Sequence, residues 1–526
     1  MKNIFKTLLL LSVIVLGMNS CSEEKLLDLD PINSPSEDYP FTTPDLIASA
    51  MNGVYNAAAI GTYTSGTANG GRGYIWGAAF VEQGDCRGED VVNTATFYQL
   101  TYTATYDATT ANNVYYWVDG YRLINRCNLM IEGVNDAVAK GIISAAVGND
   151  YIGQAKFLRA ITHFELLNYF SRCYNYTATA EHLGIPYREV GVNTQGEIDS
   201  EVLKPRNTVA ECYTKILADL NDAENLITTT GIAKASKNAA IAFKTRVYLQ
   251  KRDWANVITE GNKLNGKRTL TANPGDAFVL ANNLSNTESI FSIQHSTTSN
   301  PGTNAALASI FGGRKLVAVS PIIWRNPSWL VDDKRRTAIV NPSSGVIGAT
   351  EMIINVNGRI YTNKYKDQVN FTDATPVIRY AEVLLNMAEA QARTGDLANA
   401  LINLNTVRNR ALATPATQAY TAATLSTIPL MVNAILTERR IEFLMEGRRW
   451  SDIQRLEKDD IAPSTGIPAK YANAVPAVAD YTLGTPYTGP RTVLAIPASD
   501  FRFLWPIPQV ELNTNPTLAK QQNPGW

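Results

Sequence analysis

The chain has 526 residues, 45% hydrophobic and 18% charged, which is ordinary for a globular protein and ample for a large core or several domains. Its 47 basic and 48 acidic side chains give a formal net charge of -1, so nothing favours nucleic acid or another polyanionic partner. Only His163, His182 and His295 are present, without paired spacing, and this argues against a histidine-based metal site; no cofactor motif is found either.

The N-terminus places Lys2 and Lys6 before the apolar run Leu8 to Leu16, then small and polar residues up to Cys21 and Ser22-Glu23-Glu24. The run is far shorter than the roughly 20 residues that cross a bilayer, so residues 1–20 read as a signal peptide. A cysteine at the cleavage point resembles a bacterial lipobox. It makes Cys21 the expected lipidation site, and the acidic pair Glu23-Glu24 just after it resembles the export signal that sends some Gram-negative lipoproteins to the outer face of the outer membrane, so an outer-membrane, cell-surface, lipid-anchored location is expected.

Helical periodicity then recurs along the chain. Asp45 to Ile60, Val114 to Ile131 and Ala155 to Phe170 carry apolar residues at helical spacing. Thr208-Val209-Ala210-Glu211 is a capping box that opens a helix running to Ile227. Two helix-turn-helix pairs follow, Asn238 to Gln250 with Asp253 to Leu264 and Val377 to Thr394 with Asp396 to Ala411. Their second helices open alike, Asp253-Trp254-Ala255-Asn256 against Asp396-Leu397-Ala398-Asn399, the pattern of tetratricopeptide-like hairpins that must stack to bury an apolar face. Pro429 to Leu444 and Trp450 to Leu456 are the last clear helices.

Three long Gly/Ser/Thr/Asn-rich stretches, Gly61 to Asn113, Arg268 to Thr375 and Asp459 to Trp526, separate the helices. Loops of this length are usually functional or carry short strands. The expected fold is therefore mostly α, with tetratricopeptide-like helix pairs and long loop insertions carrying short strands. Cys86, Cys127, Cys173 and Cys212 are scattered, and their pairing is open among three connectivities; Cys127 and Cys212 fall within helical patterns and read as buried apolar side chains.

Several motifs occur in a characteristic order: Leu29-Asp30-Pro31, Tyr121 to Asn128, Ala155 to Ala160, Gly184-Ile185-Pro186, Pro205-Arg206, Arg379 to Leu385 with Ala388-Glu389-Ala390, Val407 to Ala411, Glu438 to Phe443, Glu446 to Asp452 and Leu504 to Pro508. This set resembles the SusD/RagB family of outer-membrane nutrient-binding lipoproteins. The resemblance implies a single SusD-like domain over 21–526, with a part at about 21–205 that bears binding loops and a part at about 206–526 that holds the tetratricopeptide-like helices, a loop insertion and the C-terminal motif. It also implies a SusC/RagA-type TonB-dependent transporter as partner, a glycan or in some branches a peptide as ligand, and no catalysis. The charges of Glu438 to Arg449, with Arg379/Glu382 and Glu389/Arg393, stand three to four residues apart and are expected to form ion pairs that fix helix packing.

A sugar site needs exposed aromatic faces flanked by polar groups. Trp117, Trp254, Trp450 and Trp505 fall in helical or terminal motifs and are expected to pack. Trp76, in the glycine-rich Gly70 to Gly77, and Trp324 and Trp329, in the second insertion, remain as candidate stacking residues together with Tyr74. Arg72, Asp85, Arg87 and Arg325 are the candidate hydroxyl partners. A surface glycosidase would need two facing carboxylates, nominally from Asp85, Glu89, Asp90, Asp332 and Asp333.

Overall fold

The computed structural model describes residues 39–61, 75–337 and 348–526. Cys21, Arg72 and Tyr74 lie outside the described residues.

The N-terminal part is built from long helices. Helix α1 (Pro44–Ile60) starts where the Thr43 hydroxyl accepts from the Leu46 amide and Pro44 supplies the fixed φ of a first turn. After α2 (Ala78–Cys86) come α3 (Ala111–Ala139), α4 (Ala145–Phe170), α5 (Gln195–Glu201) and α6 (Val209–Leu226). Helix α4 packs between α3 and α6 and is buried almost all round from Ile152 to Phe170, so its sequence reads as a near-continuous apolar run rather than a stripe. The Thr208/Glu211 capping box forms in full at the start of α6.

The two hairpins follow as α7 (Lys237–Lys251) with α8 (Trp254–Asn262), and α9 (Tyr380–Arg393) with α10 (Leu397–Asn409). Asp253 and Asp396 accept from the amides of Asn256 and Asn399, as the repeated sequence implied. The residue before each aspartate turns left-handed, Arg252 at φ 62° and Gly395 at φ 87°, so the two connections share one geometry. Helices α7 and α8 both pack on α9, and α11 (Ile428–Glu442) closes the stack against α9 and α10. The short α12 (Arg449–Arg455) then lies against α2. There the backbones touch: a Cβ on Gly84 would sit 2.2 Å from the Gly447 carbonyl oxygen, and Gly447 itself has φ +75°.

The insertions carry short antiparallel pairs. Strand β1 (Val91–Asn93) pairs with β3 (Val317–Val319), β2 (Ser289–Ile293) with β6 (Thr375–Arg379), β4 (Ile353–Val356) with β5 (Arg359–Thr362), and β7 (Gly466–Ile467) with β8 (Ile496–Pro497). Val377 to Arg379, expected at a helix start, belong to β6, and the helix begins at Tyr380. The first insertion, expected as loop, also holds α2, whose residues are all buried, including Glu82, Gln83 and Asp85, leaving no amphipathic period to read. All four described cysteines are buried free thiols.

The charged motifs do fix packing, mostly with partners far away in sequence. Arg335 bonds Asp333, Glu438 and Glu442; Arg408 bonds Glu438; Arg379 bonds Glu288, Glu442 and Glu446. Glu382, expected to pair with Arg379, instead takes both Nε and Nη2 of Arg246, because Arg379 ends a strand and points elsewhere. Glu389 and Arg393 do meet, at 2.9 Å. Burial opposes ionisation of Glu442, but Arg410, Arg379 and Arg335 outweigh it and hold the carboxyl below the usual range.

Candidate functional site

Most of the sequence-derived site residues sit in the interior. Trp76 directly precedes the first residue of the α2 cap and is fully buried, its indole N–H 3.4 Å from the Thr162 hydroxyl and its ring 4.9 Å from that of Phe80. Trp324 donates to the Tyr481 carbonyl at 2.9 Å and meets Trp329 edge-on at 5.5 Å. Arg336 lies 4.9 Å from both rings and donates to both of their carbonyls, so the pair is a core element stapled by the arginine that follows it. None of these three indoles offers a face to a ligand.

Asp85 and Arg87 are structural as well. Asp85 accepts from the Gly447 amide at 2.9 Å and the Arg449 amide at 3.3 Å, and burial pushes its carboxyl up to about 7. Arg87 stacks 3.8 Å over Trp450 and donates to the Tyr106 hydroxyl and the Phe503 carbonyl. Of the other carboxylates considered for a glycosidase, Glu89 and Asp90 are paired with Arg440 and Arg449, Asp333 with Arg335, and Asp332 accepts from Gln418. Among the described ligand-binding candidates Arg325 alone is part-exposed, as Asp332 is among the carboxylates.

Around Arg325 the insertions build a polar and aromatic surface. The β1/β3 ladder packs on the β4/β5 hairpin through Val92, Ala318 and Tyr361, with Tyr471 against the same cluster. The Asn93 amide donates to Asn473 at 2.7 Å and Tyr102 donates to the Tyr471 carbonyl at 2.8 Å, so the C-terminal insertion is laced onto the first. Beneath it Lys470 donates to the Cys86 and Tyr102 carbonyls; burial drives its ammonium down to about 7. Above it the Tyr471 hydroxyl donates to Asp480 at 2.8 Å, and its ring lies 5.9 Å from that of Tyr487. Arg325 lies 5.9 Å from the Tyr487 ring, tethered to Thr485 by two bonds of 2.8 and 2.7 Å. At the same ladder, exposed Arg314 lies 5.1 Å from the half-buried Phe97 ring, and Lys315 lies 5.8 Å from Tyr361.

Phe97, Tyr471 and Tyr487, with Arg314, Asn473 and Asp480, are not among the tryptophan-centred candidates that the sequence suggests. Tyrosines spaced between Pro, Gly and Asn, as in Tyr471-Ala-Asn473 and Tyr487-Thr-Gly489-Pro490, were the available signal. Phe97 and Tyr471 are half-buried, with Tyr487 buried behind Tyr471; part-exposed rings beside guanidinium, amide and carboxylate groups have the chemistry to stack on one face of a ligand and hydrogen-bond its edges. Among the described residues no group of three or more His, Cys, Asp or Glu side chains forms a metal cluster, and no helix is long and apolar enough to cross a membrane.

A stack of helical hairpins that presents such a loop-built surface defines a mostly helical, tetratricopeptide-like scaffold protein. Two family descriptions match it: "SusD family" over residues 340–526 and "Starch-binding associating with outer membrane" over residues 27–249. The chain belongs to the SusD family. It is 25% identical to SusD-like protein P38 of Formosa agariphila, over 89% of this chain and 94% of that one. The crystal structure of a SusD superfamily protein from Bacteroides fragilis superposes with a TM-score of 0.73 at 27% identity, covering 91% of this chain and 99% of that one. Surface glycan-binding protein A from Bacteroides uniformis shares the fold, with a TM-score of 0.65 at 19% identity over 91% and 99% of the two chains.

Proposed function

We propose that this protein is a surface-exposed lipoprotein that binds oligosaccharides or polysaccharide and delivers them to a SusC/RagA-type TonB-dependent transporter in the outer membrane, without catalysing a reaction. The observation that carries the reading is the cluster of Tyr471, Tyr487, Arg325 and Asp480 on a SusD-family scaffold. Aromatic faces supply the contact for sugar C–H patches, and tethered polar groups supply hydroxyl partners without a large ordering cost. The family description that mentions starch binding and outer-membrane association points the same way, as does the glycan-binding relative from Bacteroides uniformis. A non-catalytic role agrees with carboxylates that are engaged by arginines or backbone amides rather than facing each other across a cleft.

Isothermal titration of the mature protein with a panel of soluble oligosaccharides and oligopeptides tests this. Saccharide binding in the micromolar to millimolar range is expected. Binding of peptides and no saccharide would replace the reading with a peptide-capturing one.

A further inference from the structure

On a different part of the molecule, a pocket of about 260 Å³ opens between α3, the segment 186–192, α5 and two short C-terminal helices, α13 (Gln509–Thr514) and α14 (Pro516–Ala519). This is just below the ~300–1,000 Å³ of typical small-molecule sites. Trp117 and Tyr121, rings 4.7 Å apart on successive turns of α3, form part of its wall. Pro186, Val192 and Leu518 continue the apolar lining, and Val190 and Ile198 line it while staying 38% and 43% exposed.

Its polar groups divide into spent and unspent. Asn125 exchanges two bonds with the Val192 backbone, and Asn128 donates to the Arg188 and Val190 carbonyls, so both amides hold the wall in place. Arg188 uses a single terminal nitrogen, Nη1, on the carboxylate and carbonyl of Glu201, whose outer side is covered by Lys204. Among the described residues, Nε and Nη2 of Arg188 have no acceptor. Glu511, half-buried, has no ion pair among the described residues; the Trp117 indole N–H lies near its carboxyl without closing a full hydrogen bond. Burial raises the Glu511 carboxyl, and Arg188 acts against that shift, so the two charges sense each other, yet no direct ion pair joins them.

A guanidinium with free donors and a carboxylate with free acceptors thus flank one apolar, aromatic-walled pocket. We infer that this pocket binds a free α-amino acid with an apolar side chain, its carboxylate on Arg188, its ammonium on Glu511 and its side chain against Trp117 and Tyr121. Opposite charges one carbon apart fill both unspent valences at once, whereas a simple cation or anion satisfies one and is repelled by the other. The site is independent of the loop surface and of the glycan reading.

Isothermal titration of the mature protein with L-phenylalanine, N-acetyl-L-phenylalanine, L-phenylalaninamide and the dipeptide Phe-Gly tests the inference. The free amino acid is expected to bind at least about tenfold more tightly than either capped form or the dipeptide, in which one charge is missing or displaced. Glu511→Gln is expected to bring L-phenylalanine down to the level of the N-acetyl form with the unfolding midpoint unchanged. Ile198→Trp, which narrows the mouth from an exposed position, is expected to abolish binding. Capped forms or dipeptide binding as well as the free amino acid, or no heat from L-phenylalanine and L-leucine at millimolar concentration, overturns it.

Discussion

The Arg87 guanidinium lies 3.8 Å from the centroid of the Trp450 ring. That contact ties the first insertion to the motif that follows α11, across more than 360 residues of chain. Arg87 also donates to Tyr106 and to Phe503, so one fully buried side chain joins four separate segments.

Arg87→Met keeps much of the volume and removes the donors and the charge. It strands the Phe503 carbonyl in the interior, while the Tyr106 hydroxyl keeps its bond to the Arg502 carbonyl; an unsatisfied buried polar group costs roughly 1–3 kcal/mol, and the lost contact with the Trp450 ring adds to it. A loss of about 2–4 kcal/mol in urea unfolding is expected, with ligand affinity of the folded protein unchanged. Full retention of stability would show that the stack is not a structural joint.

The buried charge network implies a specific acid response. Arg410, Arg379 and Arg335 hold Glu442 below the ordinary carboxylate range against the opposing effect of burial, and Arg439 and Arg455 do the same for Asp452. A depressed folded-state pKa gives stability that is present above the unfolded value and lost as pH falls through the folded one. Asp85 is the opposite case, because burial raises it to about 7. Between about pH 4 and 7 the folded state binds its proton more tightly, so this group loses stability as pH rises through that window. Asp85→Asn is therefore expected to flatten or reverse the fall in stability from pH 5 to 7, while leaving the acid transition below about pH 4 in place. Urea midpoints measured at half-unit pH steps decide it.

The hairpin stack was legible because its signals are local. Asp253 and Asp396 cap their helices as the repeated Asp-x-x-Asn sequence implied, and Thr208 with Glu211 forms its box. Arg379 departs from its expected pairing for the complementary reason. Spacing of three residues implies a helical neighbour only if both residues are helical, and Arg379 closes a strand whose partner, β2, is nearly a hundred residues earlier. The loop site was the least legible part. Trp76, Trp324 and Trp329 stand in glycine- and polar-rich sequence, yet each is buried by a contact that no local pattern encodes: Thr162 for the first, Tyr481 and Arg336 for the others. Composition marks which rings are available, and only the fold decides which of them face outward.

The thiols offer a separate test of packing. Cys86, Cys127, Cys173 and Cys212 are buried and unpaired, and burial pushes the Cys127 and Cys212 thiols up to about 12. Both effects suppress thiolate chemistry. A thiol reagent is expected to label these four positions only after denaturant is added, and a reductant is expected to leave the melting temperature unchanged. A shift of several degrees on reduction would reveal a disulfide.

The proposed binding surface is tested by contrasting part-exposed and buried rings. Tyr471 is half-buried, pinned through its hydroxyl to Asp480, and leans on Tyr487. Tyr471→Ala removes a stacking face from the surface, and aromatic contacts of this kind contribute about 0.5–1.5 kcal/mol, so saccharide affinity is expected to fall by roughly 3–10-fold. Arg325→Ala frees the Thr485 segment and should weaken binding to a comparable degree. Trp324→Phe is the opposite control: it deletes a buried N–H bond to Tyr481, costing stability on the order of 1 kcal/mol with no change in affinity. If the Trp324 variant lost affinity while the Tyr471 and Arg325 variants kept it, the ligand would have to lie elsewhere, and the tryptophan pair would need to open outward to meet it. Titration of all three variants against one saccharide, alongside their urea midpoints, separates the two arrangements.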